Sequence, residues 1–584
     1  MSTTAADVMI DTLIDWGVKL VFGMPGDGIN GIMEALRKRQ DQISFIQTRH
    51  EESAAFMACG YAKWTGRLGV CIATSGPGGI HLLNGLYDAK LDGQPVLAIT
   101  GLQFHDLLNT CGQQDVELDK LFMDACIYST RIMGPAHVEN VVELACRTAL
   151  TQRGVSHVTM PVDMQSMPVE KALRSERNIE GHVSNIMARG GQLPDEMQLR
   201  HAAAILNRGE NTCILAGQGA LGARAELEEV AELLGAPVTK ALLGKAAVPD
   251  DNPYTTGGVG LLGTRPSQQA LERCDTLLIV GSTFPYIEYY PKPGKARAVQ
   301  IDIDARRIGL RYPVEAGLIG DSAKVLQALL PHLKRNANRE FLKQAQQEMS
   351  EWVELMVERG TTRHVPMKPQ VVAHELDKLI AEDAIVATDS GTVTTWAARY
   401  ITMRGERMFS CSGLLASMAC ALPYAIAAAL AYPGRQVVAV IGDGGLAMLL
   451  GELATLRKYQ LNVKVVVFKN NTLGQIKWEQ LVFLGNPEYG CELQPIDFAK
   501  AAEACGVRGV TISEPERCSE QLSDALATPG PCVIEAVVDP HEPPWPPKVD
   551  AKQALHLAQA LAKGTPNRTK LALTLASDVV RELV

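Results

Sequence analysis

Gly442-Asp443-Gly444-Gly445, followed after one helical and one strand-like run by Lys469-Asn470-Asn471, is the stretch that decides how this chain folds. The residues before it, Gln436 to Ile441, read Gln-Val-Val-Ala-Val-Ile, an apolar run of strand length that ends in glycine. Gly444 and Gly445 permit a sharp turn against a ligand. Leu446 to Tyr459 then reads as a helix, whose N-terminus would aim free N–H groups at an anion. Val463 to Phe468 reads as a second buried strand and ends at the asparagines. Asp443 and Asn470 therefore fall at the carboxyl ends of parallel strands, where open α/β sheets bind their ligands. One carboxylate and one amide oxygen suit magnesium, which takes its remaining ligands from phosphate and water. The expected chemistry is a diphosphate held through a divalent metal. Read as a plain turn residue, Asp443 would leave Asn470 without a role.

Working outward, 584 residues suggest three or four units at roughly 100–200 residues each. Three blocks alternate strand-like runs with amphipathic helices, which predicts doubly wound parallel-sheet domains of α/β class. The first covers residues 1–170, with strands expected at Leu68–Thr74, Pro95–Thr100 and Val158–Val162. A polar stretch from Val169 to Leu193 reads as a linker. The second covers 194–340, with strands at Thr212–Gly217, Pro237–Thr239, Thr276–Gly281 and Ala298–Asp302. Arg335 to Pro366 is a charged helical connector, and 367–540 is the third block. Residues 541–584 form a tail, extended through its prolines and helical beyond. The first and third blocks show no residue-level repeat. A formal charge of −9 argues against nucleic-acid binding. Thirteen scattered cysteines without a CxxC pair fit reduced thiols, not a disulfide scaffold. The opening Met1-Ser2-Thr3-Thr4 has no basic-then-apolar pattern, so no secretory leader is expected.

Several further segments join the Gly442–Gly445 and Asn470 pair. Thr48-Arg49-His50-Glu51-Glu52 follows the strand-like Ile43–Ile46 and precedes a small-residue helix. Val21-Phe22-Gly23-Met24-Pro25-Gly26-Asp27, Thr74-Ser75-Gly76-Pro77-Gly78 and Ser412-Gly413-Leu414-Leu415-Ala416-Ser417-Met418 complete the set. Together they resemble the thiamine diphosphate-dependent enzymes over about residues 5–545, first the pyruvate oxidase and pyruvate:quinone oxidoreductase branch and next the acetolactate synthases. The resemblance implies that Glu51 hydrogen-bonds the cofactor aminopyrimidine. Pro25, Gly26 and Gly76 would line its pyrimidine side. Ala416, Ser417 and Met418 would support the bent cofactor, with Met418 as the wedge between its rings. Gly442, Gly444, Gly445, Thr472 and Gly474 would surround the diphosphate. Asp443, Asn470 and the Thr472 carbonyl would hold Mg2+. Lys469 departs from the family's frequent double asparagine.

In the middle block, Val259, Gly260, Leu261 and Leu262 resemble a flavin-contacting loop of the oxidase branch, and Ser282-Thr283-Phe284-Pro285-Tyr286 a second one. Asp302 sits where a carboxylate would bind ribose hydroxyls, and Asp321 lies in a third flavin-side loop. FAD is accordingly the third expected cofactor. Around the reacting centre, Gln114 matches the branch, whereas Gln113 and Gln475 stand where it has phenylalanine. Glu479 matches an oxidase-branch glutamate, and His81 a histidine near the thiazolium. The pocket is thus more polar than in its relatives. The implied reaction is decarboxylation of a small 2-oxo acid such as pyruvate, with electrons passing through FAD to a quinone or oxygen. The alternative is a carboligase that joins the same intermediate to a second 2-oxo acid or aldehyde. A catalytically dead subunit is disfavoured by the presence of Glu51, Asp443 and Asn470 together. A homodimer or homotetramer is implied, with Glu51 and Asp443 meeting across subunits. The expected location is cytoplasmic. Leu571, Leu575, Ala576, Val579 and Leu583 fall on one face of the tail helix, which would dock on protein or touch the inner face of the membrane.

Overall fold

Val, Ile, Ala and Cys dominate the runs that become strands, and such runs are buried on both faces only when helices cover a parallel sheet from both sides. The computed structural model, which describes residues 3–170, 174–179, 185, 192–547, 551–566 and 569–570, has three six-stranded sheets of this kind, and every pairing in them is parallel. The first contains β1 (Leu20–Gly23), β2 (Ser44–Gln47), β3 (Gly69–Ala73), β4 (Val96–Leu102), β5 (Tyr128–Arg131) and β6 (Val155–Pro161). The second contains β7 (Thr212–Ala216), β8 (Val238–Lys240), β9 (Thr255–Gly258), β10 (Thr276–Val280), β11 (Arg297–Asp302) and β12 (Ala316–Ile319). The third contains β13 (Ile385–Thr388), β14 (Met408–Ser410), β15 (Val437–Gly442), β16 (Val463–Lys469), β17 (Arg508–Ile512) and β18 (Cys532–Val537).

The first sheet runs β2-β1-β3-β4-β6-β5 and the third β14-β13-β15-β16-β18-β17. Counted from each domain's own first strand, the two orders are identical, a repeat of topology without a repeat of residues. The middle sheet runs β12-β11-β10-β7-β8-β9. Read from its other edge this is the doubly wound dinucleotide-binding order, and its direction reverses between β7 and β10.

One apolar core spans the first and third domains. The helix Glu51–Thr65 packs against the helix Ala421–Ala431, and Ala54, Ala55, Ala58, Cys59, Ala421, Ala425 and Ala428 are all buried in this core. Small residues on both helices let their backbones approach. A Cβ on Gly60 would come within 2.9 Å of the Tyr424 ring.

The helix expected from Leu446 to Tyr459 is corrected in two respects. It begins at Asp443 and breaks at Leu449, passes through a 3₁₀ turn at Leu450–Glu452 and resumes as Leu453–Lys458. The break turns Glu452 inward. Its buried carboxylate accepts the N–H groups of Arg49 (2.8 Å) and His50 (3.1 Å) and the Thr455 hydroxyl (2.6 Å). Edge strands β9 and β12 contain Thr-Thr-Gly-Gly and Ala-Gly-Leu-Ile, too short and glycine-broken to announce themselves by periodicity. The charged connector is the helix Glu340–Gly360, and the tail carries the helix Ala551–Ala562. The apolar face expected at Leu571–Leu583 lies outside the described residues. Among the described residues no helix is long and apolar enough to cross a membrane.

Candidate active site

β15 and β16 are hydrogen-bonded neighbours with Gly442 opposite Phe468, so the residues that follow each strand emerge side by side. Asp443 Oδ2 accepts the N–H groups of Asn470 (3.1 Å) and Asn471 (2.6 Å), and its Oδ1 accepts that of Gly444 (2.9 Å). Burial pushes the Asp443 carboxyl up against the opposing effect of these three N–H groups. A carboxylate offers about four lone-pair sites, so one is left for a cation. A cation there would restore the charged form that burial disfavours. Asn470 Oδ1 accepts the Thr472 N–H (3.1 Å) and keeps a second lone pair. The donor set is all oxygen and fits magnesium. Asn471 holds φ +53, a left-handed turn that brings its own N–H back to Asp443. Gly445 is obligatory, since a Cβ would lie 1.8 Å from Asp389 Oδ2. Lys469, the departure noted in the sequence, pairs with the buried Glu535.

A cavity of ≈ 570 Å³ opens from this turn. It gathers Gly442, Asp443, Gly444, Gly445, Asn470, Thr472, Gly474, Gln475, Glu479, Ala416 and Met418 at one end. At the other end lie Val259, Leu261, Leu262 and the run Ser282–Tyr286, beside Gly217 and Gly281 at the ends of β7 and β10. Gln475 Nε2 donates to Glu479 Oε1 (3.1 Å), one turn along the same helix. Gln475 Oε1 is buried and has no hydrogen-bond partner among the described residues. A π-helical turn, Glu479–Phe483, follows directly. Of the remaining expected residues on this side, Gly260 packs behind the lining, where a Cβ would strike the Phe284 ring at 2.6 Å. Ser417 Oγ accepts from Asn84 Nδ2 (3.0 Å). Asp302 is buried at the end of β11, its carboxyl raised by that burial, and accepts the Asp304 N–H (3.0 Å). Asp321 is exposed and caps the helix Ser322–Leu329 through the Lys324 N–H (3.2 Å). Neither aspartate lines the cavity.

The second group of expected residues lies in the segments that follow β1, β2, β3 and β4. Glu51 Oε2 lies 2.9 Å from His81 Nδ1, and the His81 ring stacks on His50 at 4.5 Å. Glu51 is 8% exposed, at the first turn of its helix. Gly78 leaves room beside it, since a Cβ there would stand 3.3 Å from Glu51 Oε1. Gln114, at φ +58, accepts the Ser75 hydroxyl (2.6 Å) and covers Gly76. Gly26 packs on Thr74, where a Cβ would stand only 2.5 Å from Thr74 Cβ, and Pro25 is exposed. None of Pro25, Gly26, Glu51, Gly76, His81 and Gln114 lines the cavity. Sequence reasoning missed Glu452, Asp389 and a buried group of Lys63, Asp88 and Asp92. These are isolated charges in small-residue runs, and nothing in the sequence around them signals a partner.

Three segments of the chain match domains of one family in order. Residues 3–121 match the N-terminal TPP binding domain of thiamine pyrophosphate enzymes, 199–329 their central domain and 389–536 their C-terminal TPP binding domain. The chain is 39% identical over 562 residues to a Bacillus subtilis protein described only as thiamine pyrophosphate-containing, covering 96% of each chain. It is 32% identical over 544 residues to pyruvate oxidase of Lactiplantibacillus plantarum, covering 92% of this chain and 89% of that one. To acetolactate synthase 1 of Nicotiana tabacum it is 31% identical over 559 residues, covering 92% and 82%. With all three domains matched in order, the chain belongs to the thiamine pyrophosphate-dependent enzymes and is homologous to pyruvate oxidase and acetolactate synthase.

Proposed function

We propose that this enzyme decarboxylates a small 2-oxo acid, with pyruvate the first candidate, and passes the electrons through FAD to a quinone or oxygen. The observation that carries the reading is the continuous cavity. It joins the Asp443–Asn470 turn to the crevice between β7 and β10, where the middle sheet reverses. A dinucleotide binds at such a reversal. The residues present fit one. The crevice floor is bare backbone, since a Cβ on Gly217 would strike the Gly281 carbonyl at 2.3 Å. Phe284 and Tyr286, 5.5 Å apart, give it an aromatic wall.

When bound, thiamine diphosphate supplies an acidic C2 proton and an electron sink, and FAD a two-electron acceptor. The chain supplies geometry and proton handling. Asp443, Asn470 and the Thr472 carbonyl would hold the magnesium and so the diphosphate. Glu51, steadied by His81, would bond the aminopyrimidine. Gln475 and Glu479 line the same end of the cavity as the Asp443 turn, where they would face a small substrate. The Glu51 group and the Asp443 group do not share a cavity within one chain, which supports a dimer in which each site draws one group from each subunit.

Anaerobic addition of pyruvate to the purified holoenzyme tests the reading. Bleaching of the flavin spectrum is expected. Consumption of pyruvate with the flavin still oxidised, and a coupled two-substrate product, would point instead to carboligation.

A further inference from the structure

The loop Ser412–Met418 is held by side chains that none of the family signatures includes. Asp92 accepts the Gly413 N–H at Oδ2 and the Leu414 N–H at Oδ1, both at 2.8 Å. The same carboxylate is bound by Lys63 Nζ at 2.7 Å, and that ammonium also donates to the Cys411 carbonyl at 2.6 Å. The Lys63 side chain is 2% exposed and that of Asp92 is fully buried. One turn earlier, Asp88 accepts the Ser412 hydroxyl (2.8 Å), whose oxygen accepts the Ser417 N–H (2.9 Å). The first domain thus grips the loop at both ends. At its far end Asp389 accepts the Ala419 N–H (3.0 Å). Ala416 and Ala419 are held at φ +53 and +72, conformations that alanine adopts only when its surroundings impose them. The consequence falls on Met418, whose Cε stands 3.2 Å from where a Cβ on Gly444 would be. Gly413 itself is pinched between domains. A Cβ there would strike Leu243 Cδ1 of the middle domain at 2.4 Å and Asp92 Oδ1 at 2.7 Å.

We propose that Asp92, anchored by the buried ammonium of Lys63, is a positioning residue. It fixes the loop Ser412–Met418 and thereby sets where Met418 stands over the metal-binding turn. The inference rests on the reading of Met418 as the support of the bound cofactor. It does not depend on the substrate or the electron acceptor. An asparagine at position 92 accepts through one oxygen only, presents its NH2 to the second loop N–H, and leaves Lys63 without its nearest counter-charge.

The test is hydrogen–deuterium exchange at the thiazolium C2 in full-length enzyme saturated with thiamine diphosphate and Mg2+, read by quenched-flow NMR without substrate. Asp92→Asn should slow exchange about tenfold or more, because a misplacement on the order of 1 Å costs about that much or more in a reacting geometry. Asp92→Glu, which keeps the charge, should recover part of the loss. Met418→Ala should slow exchange to a similar degree, and the double variant should be no slower than the worse single, since both act on one path. Gly413→Ala covers the case in which Asp92→Asn does not fold, because it shifts the same loop with every charge in place. A merely structural role would lower thermal stability and leave C2 exchange in the saturated protein untouched. Parental exchange in folded, saturated Asp92→Asn or Gly413→Ala overturns the proposal, as do fully additive effects with Met418→Ala.

Discussion

Glu51 owes its place to a short chain of contacts. The Thr48–His50 turn is pinned by Glu452, the helix starts at Glu51, and His81 bonds its carboxylate at 2.9 Å. Glu51→Gln keeps the shape and removes the acid–base group, so C2 exchange should fall about 10²- to 10⁴-fold while cofactor affinity, by isothermal titration, stays near the parent's. Exchange at the parental rate would refute the assignment. His157 gives a prediction about stability. It is fully buried, bonded to the Thr100 and Ser129 hydroxyls at 2.8 and 3.0 Å, and burial pushes its imidazole down to about 3. The unfolded chain takes up the proton near the ordinary histidine value of about 6.5, the folded one only near the lower value. Its contribution is therefore complete above that ordinary value and is lost as pH falls toward the folded one, at about 1.4 kcal/mol per pH unit. Chemical denaturation of His157→Gln between pH 6 and pH 4 should show a shallower loss by about that slope. Equal slopes would show that another group carries the acid sensitivity. Asp443 and Asn470 were legible in the sequence because each stands at a strand end beside glycines or a second asparagine, and Glu51 through the resemblance of Thr48–Glu52 to a family segment. Glu452, Asp92 and Lys63 were not, because a charge becomes a partner only when a distant segment folds against it.

At the level of elements, the helix Ala551–Ala562 is tied to the site from behind. Trp545 and Leu557 pack on Trp478, Leu481 and Val482 of the helical segment that carries Gln475 and Glu479. Trp545 is 6% exposed, and truncating so large a buried ring typically costs about 3–5 kcal/mol. Trp545→Ala should therefore release this helix locally. Limited proteolysis with intact-mass analysis should show earlier cleavage within residues 546–566, and turnover should fall as the Gln475–Glu479 turn loses its backing. Parental cleavage and turnover would mean that the helix is held by other contacts. The strand ends at Gly442 and Lys469 were readable from the apolar runs before them and the glycines and asparagines after them. The break at Leu449 was not, because helical periodicity continues through it and the contacts that Glu452 makes there are to the distant Arg49 and His50.

For the whole molecule, Glu51 does not line the cavity that Asp443 lines, and the expected assembly has a clear signature. Glu51→Gln and Asp443→Ala chains, each inactive as a homo-oligomer, should regain partial activity when refolded together, since one hybrid site keeps both native groups. With equal mixing about half the dimers are hybrids and each carries one intact site, so roughly a quarter of parental activity is the expected ceiling. Activity that stays at the level of the separate variants, in a mixture shown to contain hybrids, would place both groups in one subunit's site.

The sequence by itself determined the class of each domain and the strand ends that bear Asp443 and Asn470, which depend on local periodicity, turn chemistry and spacing along the chain. Glu51 was singled out by the resemblance of its segment to a known family. Only the tertiary structure decided that the outer domains share one strand order, that they share one core through alanine-faced helices, and that the middle sheet's reversal point opens into the cavity lined by Asp443 and Asn470. Strand order depends on which edges pair, and identical apolar runs permit many pairings. Core sharing depends on two small-residue faces meeting across more than three hundred residues of chain, as Gly60 and Tyr424 do. The same holds for the buried charges around Ser412–Met418, whose partners come from another domain and whose energies exist only once water has been excluded between them.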